Sequence, residues 1–596
     1  MSPRSAEKTY VSSIFMLAAV LISPALIAGF MGDDFIHLAL FKSGLPVSAP
    51  NDASLFGLFS FMDADPIRNK ELMDLGLLPW WTFPDMKYAF WRPMTELTHG
   101  LDALLWPGNS ILMHLHSIIW YLALCFLVYK LFELVFGKAH PTLVLLGLAL
   151  YALDSSHGFT LSWIANRNGL IAATFGIASI YTYIDSQKRN SFLIQLSSIA
   201  FLALALFSAE IGISTVGYLG AFALFLDKRG WFKGCLALLP HMTVVILWWL
   251  LYKSLGFGAA NADAYYIDPV AAPVEFLTAV LQRLTVLFGS QWGFVPAEIY
   301  GFAGKAPLLA NLVLLIAIVI CSIALAVSAR ALKVSALARF WFFGALFSAL
   351  PVCSALPHDR LLLFIGVGAI GLILEVLRLS AQDHQDIDRF KGKPTLRTII
   401  PNGSRGMRFL FSCFFGFHLI ISPLFLPFMA YSPKLWADQI DMAPASFPKI
   451  ANLSEKHLIL FNVPISSSQA LTVWRFNNGK EIPRRLLPIS NYVSELTLTK
   501  TAVNEFEISK ENGFIQNGEE SVRNLSTQPF RLGEQVHLNG LTISIIEINE
   551  ANRPSRIKLA FEPNFKQENL VFLSWDKENN QYLEIKANQI GEAISF

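Results

Sequence analysis

The sequence is poor in charge. Asp, Glu, Lys and Arg make up 15% of its 596 residues, where a soluble domain carries about 25%. That excludes a wholly soluble globular chain and points to a polytopic membrane protein with a soluble part attached. Cysteine is scarce too. Cys125, Cys235, Cys321, Cys353 and Cys413 all lie in or beside apolar segments, and none follows Ala430. They make no C-x-x-C pair and suggest no disulfide framework. A net charge of +2, with no basic run and no zinc pattern, argues against nucleic acid as a partner. Internal repeats and low-complexity tracts are also missing.

Long apolar runs are abundant. Segments able to span, roughly 17–25 residues each, recur near 11–30, 110–136, 141–157, 168–184, 191–209, 211–226, 235–252, 306–328, 338–352, 361–378 and 408–430. They predict an all-α polytopic membrane domain over residues 1–430, with about eleven transmembrane helices. The first run, Val11–Phe30, follows Arg4 and Lys8 as a signal peptide would. It is too long for one, and Gly-Asp-Asp is a poor cleavage site, so it reads as an uncleaved span.

Basic residues recur in every second loop: Lys138, then Lys188-Arg189, then Lys228, Arg229 and Lys233, then Arg330, Lys333 and Arg339, then Arg378 to Arg408. Positive-inside bias makes these loops cytoplasmic, together with the N-terminus. Residues 31–109, 253–305 and the C-terminal tail then lie outside. The expected location is a bacterial inner membrane, crossed many times, with the tail in the periplasm. Within the outer loops, Leu55–Met62 is apolar and reads as an interfacial helix or lid, and Val270–Phe288 is largely apolar and reads as an interfacial helix.

From Ser432 onward the apolar runs stop and Asn, Glu, Lys and Ser rise. Leu471–Phe476, Glu495–Thr499 and Leu541–Ile546 alternate as strands, and Asn477-Asn-Gly and Asn512-Gly mark turns. Residues 431–596 are therefore expected to form a small all-β extracytoplasmic domain.

Charged groups gather on the expected outer face. Asp33 and Asp34 end the first span, with His37 one helical turn on. Trp91-Arg92-Pro93 enters the second span. Asp154-Ser-Ser-His157 and Trp163-Ile-Ala-Asn-Arg167 lie between the third and fourth. Glu210 turns between the fifth and sixth, and His358-Asp359-Arg360 precedes the tenth. Taken singly, each reads as an interfacial anchor or helix cap. Three arginines on a face where few are expected, beside carboxylates, read together as an anion site next to a general base. Arginine suits a phosphate because its planar fork donates paired hydrogen bonds and stays charged. A phosphate at a membrane surface suggests a lipid phosphate. A carboxylate can take the proton of an attacking hydroxyl while arginines stabilise the leaving phosphate. That chemistry is glycosyl transfer from a lipid-phosphate sugar.

The ordered set of motifs over residues 31–375 resembles the GT-C superfamily of polytopic membrane glycosyltransferases. It is most similar to the protein O-mannosyltransferases and to the transmembrane mannosyltransferases with tetratricopeptide repeats. The matching residues are Gly32-Asp33-Asp34, Trp91-Arg92-Pro93-Met94-Thr95, Met113-His114-Leu-His116, Trp163-Ile164-Ala-Asn-Arg167, Ser208-Ala-Glu210-Ile-Gly212 and Asp359-Arg360. The resemblance implies Asp33 or Asp34 as catalytic base, and Arg92, Arg167 and Arg360 as residues for the donor phosphate or for holding the site. His37, His157, Trp163, Glu210 and Asp359 support them. It also implies inversion at the anomeric carbon and a polyprenyl-phosphate sugar donor. The chain departs from the family at Phe159, where a carboxylate is common, and at Ala209, where a lysine is common. No tetratricopeptide repeats follow.

The expected partners are the lipid-linked donor, membrane lipids, and a glycan, lipid or protein acceptor. No cofactor is required by this chemistry. Some relatives use a divalent metal and others do not, and no tight histidine spacing marks one here. The alternatives are a polysaccharide polymerase or ligase using lipid-linked oligosaccharide, and a non-catalytic transporter or assembly protein for lipid-linked sugars. A transporter should carry paired repeats and mid-membrane charges, and the sequence has neither.

Overall fold

The computed structural model describes residues 3–42, 44, 57–262, 265–293, 295–303, 306–383, 404–464, 471–490, 495–516, 519–586, 589–591 and 593–595. The chain divides into two compact units. One comprises Met1–Gly29, Trp91–Leu255 and Ile267–Pro433, the other Phe30–Phe90, Gly256–Tyr266 and Lys434–Phe596. A single cut near residue 430 is what the sequence predicts. Instead, residues 30–90 group with the C-terminal part.

The first unit is helical. Among the described residues, five helices are long and apolar enough to cross a membrane: Lys8–Ile27, Ser110–Phe136, Pro307–Val334, Asp359–Ala381 and Arg405–Asp438. Two bent pairs raise the count to seven if each is one span. Pro141–Ala152 with Ser156–Ser162 bends by 56°, and Trp231–Ala237 with Leu239–Ser254 by 47°. The chain is a multi-pass membrane protein, but about eleven full-length spans is a correction to make. Apolar runs can yield helices too short to span. Phe192–Ser208 has 17 residues, about 25 Å of rise against a hydrocarbon core of about 30 Å. Glu210–Phe225 and Ala336–Val352 are short as well. The helix Arg167–Arg189 is long enough, but Thr174, Ser179, Thr182 and Asp185 interrupt its apolar character.

Small residues let these helices approach closely, as membrane helices do without a hydrophobic drive between them. A Cβ on Gly217 would lie 2.4 Å from the Ser348 backbone nitrogen, and one on Gly371 would lie 2.3 Å from the Trp341 ring. The bend after Ala152 has a polar cause. An Asp154 carboxylate oxygen accepts the Ser156 N–H at 2.9 Å, turning the chain before the next helix begins. Val270–Phe288, read as an interfacial helix, lies largely within the helix Pro273–Trp292. Its Val280, Val286, Leu287 and Phe288 join the core of this unit.

The second unit is β-rich. Its strands are β1 Ser60–Asp63, β2 Lys87–Ala89, β3 Gly258–Ala260, β4 His457–Phe461, β5 Arg485–Pro488, β6 Leu496–Ala502, β7 Glu505–Lys510, β8 Gln535–Leu538, β9 Leu541–Ile548, β10 Pro554–Phe561, β11 Leu570–Asp576, β12 Gln581–Ile585 and β13 Ala593–Ser595. Among the described residues they form three open sheets, in the orders β1-β2-β3, β13-β6-β7-β10-β9-β8 and β12-β11-β4-β5. The six-stranded sheet is antiparallel. Buried and part-exposed residues alternate in β6 and β9, the mark of a sheet with one covered face.

Two expectations fail locally. Leu55–Met62 reads as an interfacial helix or lid, but its later part enters β1, which pairs with β2. Leu55 and Phe56 lie outside the described residues. Leu471–Phe476 reads as a strand and is the helix Leu471–Asn477. The reason is topological. β4 and β5 are parallel neighbours, so the chain between them must cross over, and a helix is the usual connection. The unit is therefore not purely β.

Residues 30–90 are built into this unit. The Trp80 and Trp81 indoles, both fully buried, donate to the Ile489 carbonyl at 3.1 Å and the Glu519 carbonyl at 3.0 Å. Arg485 donates twice to an Asp74 carboxylate oxygen, at 2.9 and 2.7 Å. Burial lowers the Arg485 pKa, and the Asp74 carboxylate opposes that shift.

Candidate active-site residues

In the β-rich unit, Asp33 and Asp34 open the helix Asp33–Lys42. Carboxylates are favoured there, facing the free N–H groups of a first turn. Their surroundings differ. Asp34 is 2% exposed, and one of its oxygens accepts the Met31 N–H at 2.9 Å. That bond ties Asp34 to the turn, and Asp33 is the more accessible of the two. His37 packs between Phe59, at 4.8 Å between ring centroids, and Phe61, at 5.9 Å.

In the helical unit the three arginines have different fates. Pro93 starts the helix Pro93–Leu105 and leaves Arg92 at its cap. Thr95 donates to the Ser208 carbonyl at 2.7 Å, and the Trp91 ring meets Phe207 at 5.4 Å. These contacts bring Arg92 onto the turn that carries Glu210. The Arg92 Nε and Nη2 donate to one Glu210 oxygen at 3.0 and 2.7 Å, and the Tyr252 hydroxyl donates to the other at 3.2 Å.

Arg167 is wholly buried. Its Nη1 meets an Asp102 oxygen at 2.5 Å, its Nε donates to Ser117 at 2.9 Å, and its Nη2 donates to the Met113 carbonyl at 2.7 Å. His116 meets the second Asp102 oxygen at 2.7 Å and accepts from the Trp120 indole at 3.1 Å. Every guanidinium nitrogen of Arg167 is engaged inside the protein. Through these bonds Arg167 ties its helix to its neighbours.

Arg360 is the contrasting case. It lies in the short turn Asp359–Leu361, at the start of a span. Its guanidinium sits 5.7 Å from the centre of the Trp163 ring. Among the described residues that guanidinium makes no hydrogen bond and no ion pair. The backbone N–H of Arg360 donates to His358 Nδ1 at 3.2 Å, and the same nitrogen lies 2.9 Å from Glu298 Oε1. One ring nitrogen thus faces a backbone donor and a carboxylate. Burial pushes the His358 pKa down, with the Glu298 hydrogen bond only partly opposing it. Burial pushes the Glu298 carboxyl up, but the His358 contact outweighs that and holds it below its ordinary range.

Asp359 and His157 make their contacts within the helical unit. Asp359 is buried, and one of its oxygens accepts from the Ser290 hydroxyl at 2.7 Å and the Ala297 N–H at 2.9 Å. It holds the start of the helix Ala297–Phe302. His157 is buried with its Nδ1 3.2 Å from the Tyr121 hydroxyl and its ring 4.7 Å from Tyr151. Phe159 packs on Trp163 and His358, at 5.9 and 5.5 Å. Among the described residues no group of three or more His, Cys, Asp or Glu is placed to hold a metal ion.

Sequence reasoning missed Asp102, Tyr252 and Glu298. Asp102 had a weak signal, a carboxylate beside the apolar run Ala103–Trp106. Glu298 sits in the first turn of the short helix Ala297–Phe302 and had none.

No protein family's sequence profile matches the chain, and no curated protein matches it. Some solved structures align with the chain at low identity. The Archaeoglobus fulgidus oligosaccharyltransferase in its apo form aligns over 77% of this chain and 64% of its own, at 10% identity and a TM-score of 0.36. The same enzyme tethered with an acceptor peptide containing the NVT sequon aligns over 77% and 63%, at 12% identity and 0.36. This chain therefore spans less than two thirds of that enzyme's length. ArnT from Cupriavidus metallidurans, bound to undecaprenyl phosphate, aligns over 93% of this chain and 98% of its own, at 11% identity and 0.36. Identities this low leave no residue correspondence to carry over, so each side chain's role is argued from its own geometry.

Proposed function

We propose that the protein is an inverting glycosyltransferase of GT-C type. It moves a sugar from a polyprenyl-phosphate donor to an acceptor hydroxyl at the outer face of a bacterial inner membrane. The N-terminus is cytoplasmic and the β-rich unit periplasmic, as the basic loops imply.

In this reading the acceptor oxygen attacks the anomeric carbon as the bond to the donor phosphate breaks. Asp33 takes the acceptor proton. Arg360 binds the phosphate and stabilises the charge that grows on it. Arg92, held by Glu210, contributes positive charge from its own helix cap. Asp34 shapes the turn that presents Asp33.

The observation that carries this reading is Arg360. A guanidinium at the end of a membrane-length helix, bound to no carboxylate among the described residues and lying over an indole, is poised for an anion at headgroup depth. Arginine in such a place is costly unless it serves a function. The test is sugar release from a set of labelled polyprenyl-phosphate sugars, with membrane extract as acceptor. Wild type should turn over at least one donor, and Arg360→Ala should fail to saturate with it. A wild-type protein that releases sugar from none of them would rule the reading out.

A further inference from the structure

We propose that the β-rich unit carries a carbohydrate-binding subsite, a cavity that takes one neutral sugar ring. It goes beyond the roles given to Asp33 and Arg360 and needs neither of them.

The cavity has a volume of about 340 Å³, at the small end of the roughly 300–1,000 Å³ of ligand pockets. Segments far apart in sequence wall it. Glu71, Asp74 and Leu75 come from the end of the helix Pro66–Asp74, Pro483 and Arg484 lead into β5, and Asn539 sits in the turn between β8 and β9. One set of bonds ties these segments together. Arg485 holds one Asp74 oxygen, and the other Asp74 oxygen accepts the Asn539 N–H at 3.3 Å. Arg485 also donates to the Asn539 carbonyl. Gly76, at φ +69°, lies so near β5 that a Cβ there would sit 2.5 Å from the Leu486 carbonyl oxygen. The walls are thus fixed before any ligand arrives, which lowers the ordering cost of binding.

Two side chains are left over. Arg484 and Asn539 are exposed, so the cavity opens to solvent. Among the described residues, neither the Arg484 guanidinium nor the Asn539 side-chain amide makes a hydrogen bond or an ion pair. Both groups are planar, with several donors between them, and the amide oxygen accepts. Leu75 and Pro483 supply buried apolar wall beside them.

Charge selects the occupant. Arg484 opposes a cation, and the Glu71 carboxylate on the same wall opposes an anion. Asp74 is already neutralised by Arg485. What remains suits a neutral molecule with hydroxyls on one side and carbon–hydrogen surface on the other. A pyranose ring has that character. Its adjacent hydroxyls can bridge the amide and the guanidinium, while its C–H face lies on Leu75 and Pro483. The volume admits one ring, so the subsite takes a single residue of a glycan.

The experiment is saturation-transfer NMR on the full-length protein in nanodiscs. The probes are the methyl glycosides of glucose, galactose, mannose and N-acetylglucosamine, with methyl glucuronide and glycerol phosphate as anionic counterparts. At least one neutral glycoside should bind saturably, and better than either anion. Arg484→Ala and Asn539→Ala should each weaken that binding roughly three- to tenfold, the scale of a lost hydrogen bond, with unchanged thermal midpoints. Hydrogen exchange on the wild-type protein gives a reading that needs no variant: bound glycoside should slow exchange in residues 482–486 and 538–541. No saturable binding of a neutral glycoside, tighter binding of an anion, wild-type affinity in both variants, or protection confined to other residues would each overturn the proposal. A protein that binds the glycoside here yet transfers no sugar would keep the subsite and remove the proposed activity.

Discussion

Arg167 and Asp102 form a buried ion pair at 2.5 Å, with His116 on the second Asp102 oxygen. Neither partner is reachable from outside, at 0% and 1% side-chain exposure. Removing one charge strands the other in an apolar interior. Arg167→Ala should therefore cost about 3–5 kcal/mol and appear as a loss of folded protein on extraction. Asp102→Asn should do likewise. If Arg167→Ala kept its thermal midpoint and lost only donor affinity, Arg167 would be a ligand residue after all.

Asp33 and Asp34 should separate cleanly. Asp33→Asn is expected to slow turnover by roughly 10²–10⁴-fold, the range for a lost general base, with the thermal midpoint unchanged. Asp34→Asn keeps an oxygen for the Met31 N–H and should retain most activity. Asp34→Ala loses that bond and should cost about 1 kcal/mol of stability. Single-turnover kinetics beside a melting curve checks all three, and equal loss of rate in both Asn variants would refute the assignment.

Arg360 should behave oppositely to Arg167. Its guanidinium has no protein hydrogen bond among the described residues, so Arg360→Ala should leave the thermal midpoint where it is. The donor KM should rise roughly ten- to hundredfold, as for a lost hydrogen bond to a charged group. Arg360→Lys should recover part of this as a point charge, but not the paired geometry. A drop in melting temperature with unchanged KM would contradict the role.

His457 in β4 should make the β-rich unit acid-sensitive. Burial, with help from the Arg485 and Arg484 charges, pushes its pKa down to about 4. In the unfolded chain an imidazole titrates near 6.5. Between those values the unfolded state binds the extra proton, so stability falls as pH drops from about 6.5 and levels off near 4. His457→Gln should flatten that limb. Hydrogen exchange of β4 across this range is the readout, and an unchanged slope in the variant would exclude His457 as its origin.

The sequence carries the membrane class, the break in composition near residue 432 and the alternation of β6 and β9, because these are written in local patterns. It does not carry pairing between distant side chains. Arg92 and Arg167 look alike in sequence, each at a helix start near a tryptophan. One meets Glu210, over a hundred residues on, and the other is enclosed by Asp102 and Ser117. Leu471–Phe476 alternates like a strand, yet lies between two parallel strands, and only the sheet order makes it a helix. Span counting from apolar runs has the same limit. A run gives hydrophobicity, while the bend at Asp154 and the shortness of Phe192–Ser208 come from where polar bonds and turns fall.

Trp80 and Trp81 have a consequence in time. Their indoles bond to carbonyls of Ile489 and Glu519, so residues 30–90 emerge from the ribosome long before their partners exist. At about 5–20 residues per second, the roughly 340 residues that separate the two parts take on the order of 17–70 seconds to synthesise. Through that interval two tryptophans and the short helix Pro66–Asp74 wait with their apolar faces uncovered. A chain cut after the last span would never end that wait. Such a truncation would leave the first segment as a standing target for chaperones and proteases.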